Sequence, residues 1–182
     1  MSVQPLALSF VALCLTACAS AQTHAGTMTM QCPAEVEGIF ASIVGDWTLG
    51  VEADEGWSGY GSSNIAWDQN QKCGVVETSI MVFDPDGEDA SENRSTAYLV
   101  YDELSETIKI LTADNRGYVH IGIAVAKAPL AFEILKPDGE LPNRRIQYRS
   151  VEAGAFEWSW QGRESQSDDW ADRLVIKYQS AP

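Results

Sequence analysis

Few side chains in this sequence can carry acid–base or nucleophilic chemistry at neutral pH. Histidine is the usual general base, and only His24 and His120 are present. His24 falls in a polar N-terminal stretch. His120 alternates with Val119, Ile121 and Ile123, so period-two patterning sends it to the solvent side of a strand. A Ser-His-Asp or Cys-His arrangement then has nothing to build on, and no catalytic residue is assigned. The run from Asp84 to Glu92 places carboxylates at 84, 86, 88, 89 and 92, oxygen ligands of the kind calcium takes. Gly87 stands at the fourth place where a calcium loop of the EF-hand type wants its glycine at the sixth, so the run reads as a solvated turn and no metal is assigned. Asn93-Arg94-Ser95 is formally a glycosylation sequon and is read as coincidence.

What remains is aromatic. Six Trp, six Tyr and five Phe are present, and Trp57, Trp67, Trp158 and Trp160 are the candidates to line a cavity. Arg145 and Arg149 share one face of a strand and are candidates to meet an acidic ligand group. The plainer alternatives are that the rings are core and that the arginines pair with the abundant surface acids.

The elements that must position these residues follow from composition and periodicity. The chain has 182 residues, 45% hydrophobic and 21% charged, with 26 acids against 12 bases and a formal charge of -14. That is one acidic globular domain, repelled by phosphate backbones and anionic headgroups, so no nucleic acid is expected as a partner. The acid is uneven: 13 acids and one base, Lys72, precede Arg94, whereas 13 acids and 11 bases lie from Arg94 onward.

No charged side chain precedes Glu35, and the apolar stretch Leu6–Leu15 has the length of an export-signal core rather than a membrane span. Two processing sites stay open. Leu15-Thr16-Ala17-Cys18 has the form of a lipobox, with Cys18 lipidated and membrane contact only through that anchor. Ala19-Ser20-Ala21 is an ordinary signal-peptidase site with Gln22 as the new first residue. Residues 1–21 are read as signal, 22–31 as a leader and 32–182 as the folded domain. The destination is the periplasm, an outer-membrane-anchored lipoprotein, or secretion. Cys14 is lost with the signal and Cys18 is either lost with it or lipidated, which leaves Cys32 and Cys73 as one disulfide. Closing a loop of roughly 40 residues contributes about 4 kcal/mol in the chain-entropy model.

Pro33, Glu35 and Glu37 open a helix of about three turns, with Val36, Ile39, Phe40, Ile43 and Val44 on one face and Gly45 as its stop. From Asp46 the period becomes two and stays so. Ten strands are predicted: 46–52, 58–68, 73–83, 95–101, 107–112, 118–127, 130–136, 145–152, 155–161 and 173–180, joined by turn residues such as Asp84-Pro-Asp-Gly and Asp114-Asn-Arg-Gly. Short connections require antiparallel neighbours, and ten such strands close into a barrel. The expected inward sets are Val119, Ile121, Ile123 and Val125; Phe156, Trp158 and Trp160; and Leu174, Ile176 and Tyr178.

The helix running into Gly45-Asp46-Trp47 resembles the G-x-W opening of lipocalins. Beyond it, Cys73-Gly74-Val75-Val76-Glu77, Val100-Tyr101-Asp102, Ser167-Asp168-Asp169-Trp170 and Tyr178 resemble bacterial lipocalin-like families of unknown function. The resemblance runs from Ile39 to Tyr178. It implies an antiparallel lipocalin-like β-barrel with a short N-terminal helix, in which Gly45 turns the chain and Trp47 plugs one end against a late-strand arginine, here Arg173. A haem-binding barrel of the nitrobindin type would need an inward histidine, which His120 is not expected to supply, so no cofactor is assigned. The leading expectation is an exported barrel that binds a small apolar or lipid-like molecule, with no catalysis evident. The alternative is a filled barrel serving as a structural or protein-binding envelope module, and an enzyme working through carboxylates inside the barrel comes third.

Overall fold

A computed structural model describes residues 32–53, 58–69, 73–84, 90–135, 142–152 and 154–181. The expected signal, leader, Cys18, Trp57 and most of the acidic turn after Asp84 lie outside these residues.

Helix α1 (Ala34–Ala41) starts behind Pro33 with Glu35 and Glu37 in its first turn, where carboxylates face the positive end of the helix. It is 8 residues long, shorter than the three turns predicted. Ser42 Oγ donates to the Ile39 carbonyl at 2.6 Å, and Trp47 Nε1 donates to the Ile43 carbonyl at 2.9 Å. Side chains thus satisfy carbonyls left open at the helix end, and Ile43 and Val44 form the turn into the first strand. Gly45 makes that turn at φ +150°, a conformation that side-chain-bearing residues rarely adopt. Val36, Phe40 and Ile43 are buried in the core.

The ten strands are β1 (Gly45–Ala53), β2 (Ser58–Trp67), β3 (Gly74–Phe83), β4 (Ser91–Asp102), β5 (Thr107–Asp114), β6 (Val119–Val125), β7 (Leu130–Ile134), β8 (Arg144–Glu152), β9 (Ala155–Gly162) and β10 (Ala171–Ser180). Each pairs with its sequence neighbour, and β1 pairs with β10, which closes the sheet into a barrel. All these pairings are antiparallel. Closure removes the open edges on which another chain would add. Each predicted strand has its counterpart.

The barrel has a filled end and a hollow end. At the filled end Ile65, Val75, Leu99, Ile108, Phe132 and Ile146 are almost completely buried, Phe40 of α1 meets the edge of Trp67 at 6.0 Å, and a disulfide joins Cys32 to Cys73. Trp47 is buried there, its ring 4.8 Å from Phe156 and 6.3 Å from Tyr178. The other end carries the end of β3, the start of β4 and the β5–β6 turn.

Strand β6 corrects the sequence reading. Val119, Ile121 and Val125 are exposed, whereas Gly122 and Ala124 are buried. The apolar set faces out, and the small residues with His120 face in. The cause is volume. A Cβ at Gly122 would lie 3.0 Å from both Ile110 Cγ2 and Phe132 Cβ, so large side chains on β5 and β7 already occupy the space that larger β6 side chains would need. Outside, Tyr98, Leu111 and Ile121 are register partners across β4, β5 and β6, and all three are exposed.

Candidate functional site

Toward its hollow end the barrel encloses a cavity of about 280 Å³ whose lining comes from β3–β6 and β8–β10. The two sides differ in chemistry. Inward residues of β3 and β4, Glu77, Ser79, Asn93 and Ser95, make a polar wall. Opposite them Tyr148, Trp158, Trp160 and Tyr178 make an aromatic one. Alternation explains both: on β3 Val75, Glu77, Ser79 and Met81 share a face, and on β9 Phe156, Trp158 and Trp160 do.

Glu77 forms the floor. Its Oε1 accepts from Tyr178 Oη at 2.7 Å and Ser63 Oγ at 2.9 Å, and its Oε2 accepts from Tyr148 Oη at 3.3 Å. Burial raises the carboxyl above its ordinary range, while the hydroxyls of Tyr178, Ser63 and Tyr148 pull in the opposite direction. Burial also pushes both tyrosines well above the phenol range, and the neighbouring carboxyl adds to it. Below the floor, Tyr178 stacks on Phe156 at 4.1 Å, so the Trp47 plug and the Glu77 cluster share one aromatic support. Higher in the cavity, Ser79 and Ser95 hydroxyls bond at 2.7 Å.

The rim carries His120, Asp114, Tyr118 and Trp160. His120 lies 4.9 Å from the Trp160 ring and stacks parallel to Tyr118 at 6.5 Å. Burial pushes its pKa below the usual imidazole range, with Asp114 opposing and Arg144 reinforcing. Desolvation alone would raise Asp114, but the Tyr118 and Arg116 backbone N–H groups and Asn93 outweigh it and hold the carboxyl below its usual range. Asn93 Nδ2 donates to Asp114 Oδ2 at 3.0 Å, so the asparagine of the sequon is a buried lining residue.

The residues singled out from the sequence separate clearly. Trp158 and Trp160 line the cavity. Trp67 does not; it stands at the filled end against Phe40. Arg145 and Arg149 project from the outer surface. Arg145 Nε bonds Gln161 Oε1 and its guanidinium lies 4.6 Å from the Trp170 ring, with Arg163 at 4.3 Å from the same ring. Arg149 pairs with Glu157 at 2.6 Å and Asp172 at 3.3 Å. The inward arginine is Arg144, on the same face as Ile146 and Tyr148, with its guanidinium 6.0 Å from the Trp160 ring. Arg173 is exposed and does not reach the plug. Trp47 is in register with Ser180, seven residues from Arg173, roughly 23 Å along a strand. His120 faces the cavity, contrary to the outward position expected from the strand pattern, so an inward histidine is present. A 280 Å³ space is nevertheless below the usual range of sites for drug-sized ligands, and a porphyrin would not fit it as it stands. Among the described residues no group of three or more His, Cys, Asp or Glu is placed to hold a metal.

Glu77, Tyr148, Tyr178, Asp114 and Arg144 were not assigned a site role from sequence. For Glu77 a signal existed: a carboxylate in phase with Val75 and Met81 on one strand face. Two motif residues of the lipocalin-like resemblance, Glu77 and Tyr178, are 101 positions apart and meet at 2.7 Å.

The chain matches no protein-family model and no curated protein. Among solved structures it is similar to the S-type phycobiliprotein lyase CPES from Guillardia theta, with a TM-score of 0.52 and 8% identity over 81% of this chain and 93% of that one. At that identity the likeness concerns the fold alone, and this protein has a lipocalin-like fold: a closed antiparallel ten-stranded barrel with one short helix.

Proposed function

We propose that the protein is an exported, envelope-associated barrel that binds a small, mostly apolar molecule in its cavity. The observation that carries this is the two-sided cavity, an aromatic wall facing a polar one that ends on a buried carboxyl. A barrel serving only as a spacer gains nothing from a buried carboxyl beside unfilled volume, because a buried carboxyl costs stability and an unfilled volume forgoes packing. The lipocalin-like fold supports the reading in general terms. It does not transfer a lyase activity, since fold and chemistry vary independently. Export rests on the N-terminal apolar segment and the disulfide-forming cysteines.

Native mass spectrometry of the protein from its own host is the test. A mass above that of the mature chain, lost on denaturation, is the expected result. The unliganded mass alone, together with no thermal shift from a panel of small apolar compounds, refutes the reading. The same spectrum reads the N-terminus: lipidated Cys18 means an anchored lipoprotein and free Gln22 a soluble one.

One observation favours a second reading, a partner-binding module. The exposed row Tyr98, Leu111 and Ile121 on the outer face is an apolar strip of the kind that marks interaction surfaces. Photo-crosslinking from position 121 in the host would capture a defined partner if this reading holds.

A further inference from the structure

We infer that the cavity selects an organic cation, a protonated amine or ammonium group on an apolar body, with the charged head beside Glu77. This rests on the cavity being a ligand site. Among the described residues, Glu77 is surrounded by neutral donors: Ser63, Tyr148 and Tyr178 supply its three hydrogen bonds. Among the described residues no lysine or arginine lines the cavity itself, and Arg144 stands at its rim against Trp160. A buried carboxyl without a counter-charge is the expensive arrangement, and a ligand bringing the positive charge relieves it. An ionised carboxyl offers about four lone-pair directions, so one remains for an ammonium N–H after the three hydroxyls.

The walls suit the same ligand. Tyr148, Tyr178 and Trp158 line the lower cavity with Glu77, and aromatic faces attract cations where water is excluded. At the rim Asp114 is a second carboxylate, held ionised by its hydrogen bonds, and His120 is shifted toward its neutral form. Near the rim Arg116 lies on the Phe83 ring and Arg144 on the Trp160 ring. With a formal charge of -14 over the whole chain, an anion is repelled on approach and meets carboxyls inside, whereas a cation is drawn in. The volume of about 280 Å³ equals about nine waters, room for one ring with a short side chain.

Isothermal titration with 2-phenylethylamine, 2-phenylethanol and phenylacetate, similar in size and different in charge, tests this. The amine should bind about tenfold or more tightly than the alcohol, as a charge-assisted hydrogen bond gives, and phenylacetate weakest. Glu77→Gln should remove the amine's advantage over the alcohol, and an advantage kept by the folded variant overturns the inference. An alcohol that binds as tightly as the amine, or an acid that binds best, overturns the inference and leaves the ligand-site reading standing. Failure of all three to bind overturns the inference, and if protein from its own host also carries no small molecule the ligand-site reading falls with it. Should Glu77→Gln not fold, the ordering on the unaltered protein decides alone.

Discussion

Removing the Tyr178 hydroxyl probes the buried cluster most directly. In Tyr178→Phe the ring keeps its stacking on Phe156 at 4.1 Å, and only the 2.7 Å hydrogen bond to Glu77 is lost. That bond contributes about 0.5–1.5 kcal/mol when the carboxyl is neutral and about 1.5–3 kcal/mol when it is ionised. Glu77 has a pKa raised above its unfolded value of 4.5, chiefly by burial. Its contribution to stability is therefore fully present below pH 4.5 and lost as pH rises through the folded pKa. Over that window the cost of Tyr178→Phe should grow with pH, because the missing bond matters most to the ionised form. Urea denaturation of both proteins from pH 3.5 to 8.5 measures it, and the difference cancels the other titrating groups. The lowered Asp102 and Asp114 act below their unfolded value of 3.8, so their loss of stability in acid falls outside the window. A cost that is constant with pH, or largest in acid, would refute the account of Glu77 as a buried carboxyl titrating above its normal range.

Four further outcomes follow from the packing. Trp47→Ala removes a buried ring and its bond to the Ile43 carbonyl, costing about 3–5 kcal/mol; in thermal denaturation this is a fall of about 10 °C, and a change within a degree or two would exclude the plug. Breaking the Cys32–Cys73 link with serines should cost up to about 4 kcal/mol, read from urea curves under non-reducing conditions, and a loss below about 1 kcal/mol would show that it does not tie α1 to the barrel. Arg144→Ala should change the affinity of any cavity ligand or probe, whereas Arg145→Ala should leave binding unchanged and weaken only the packing of Trp170; binding titrations of the two variants distinguish the faces. On β6, Ile121→Lys should alter stability by no more than about 0.5 kcal/mol, while Gly122→Val should destabilise by about 1–3 kcal/mol, and the reverse order would restore the inward assignment of Ile121.

Strand number, order of elements and barrel closure were legible because they depend on period and loop length, which a linear sequence carries directly. Turns at Asp114-Asn115-Arg116-Gly117 and the G-x-W opening at Gly45 mark where the chain reverses, and ten antiparallel strands then leave closure as the economical solution. Orientation within the barrel was less legible. The rule that the more apolar alternate set faces inward works on β9 and β10, where Phe156, Trp158, Ile176 and Tyr178 point in. It fails on β6, where Phe132 and Ile110 fill the interior and the strand can contribute only Gly122 and Ala124. That choice depends on volume supplied by strands distant in sequence.

The same limit explains the site. Arg144 and Arg145 are adjacent in sequence, and a shift of one residue moves a guanidinium from outer surface to cavity rim. Hydropathy cannot choose between them; their register with Ile146 and Tyr148 does. Period-two patterning sends His120 outward because it places the larger β6 side chains inside, so the imidazole beside Trp160 is not legible from that strand alone. Glu77 is the deeper case. A lone carboxylate between apolar residues on a strand breaks the pattern of a filled core, and such a break is what a functional position leaves in a sequence. Its meaning came from Tyr178 and Ser63, brought to it by closure of the barrel. A solitary charge in phase with the apolar face of its strand is thus a better pointer to the cavity of this protein than its abundant tryptophans, of which Trp67 supports the filled end while Trp158 and Trp160 line the hollow one.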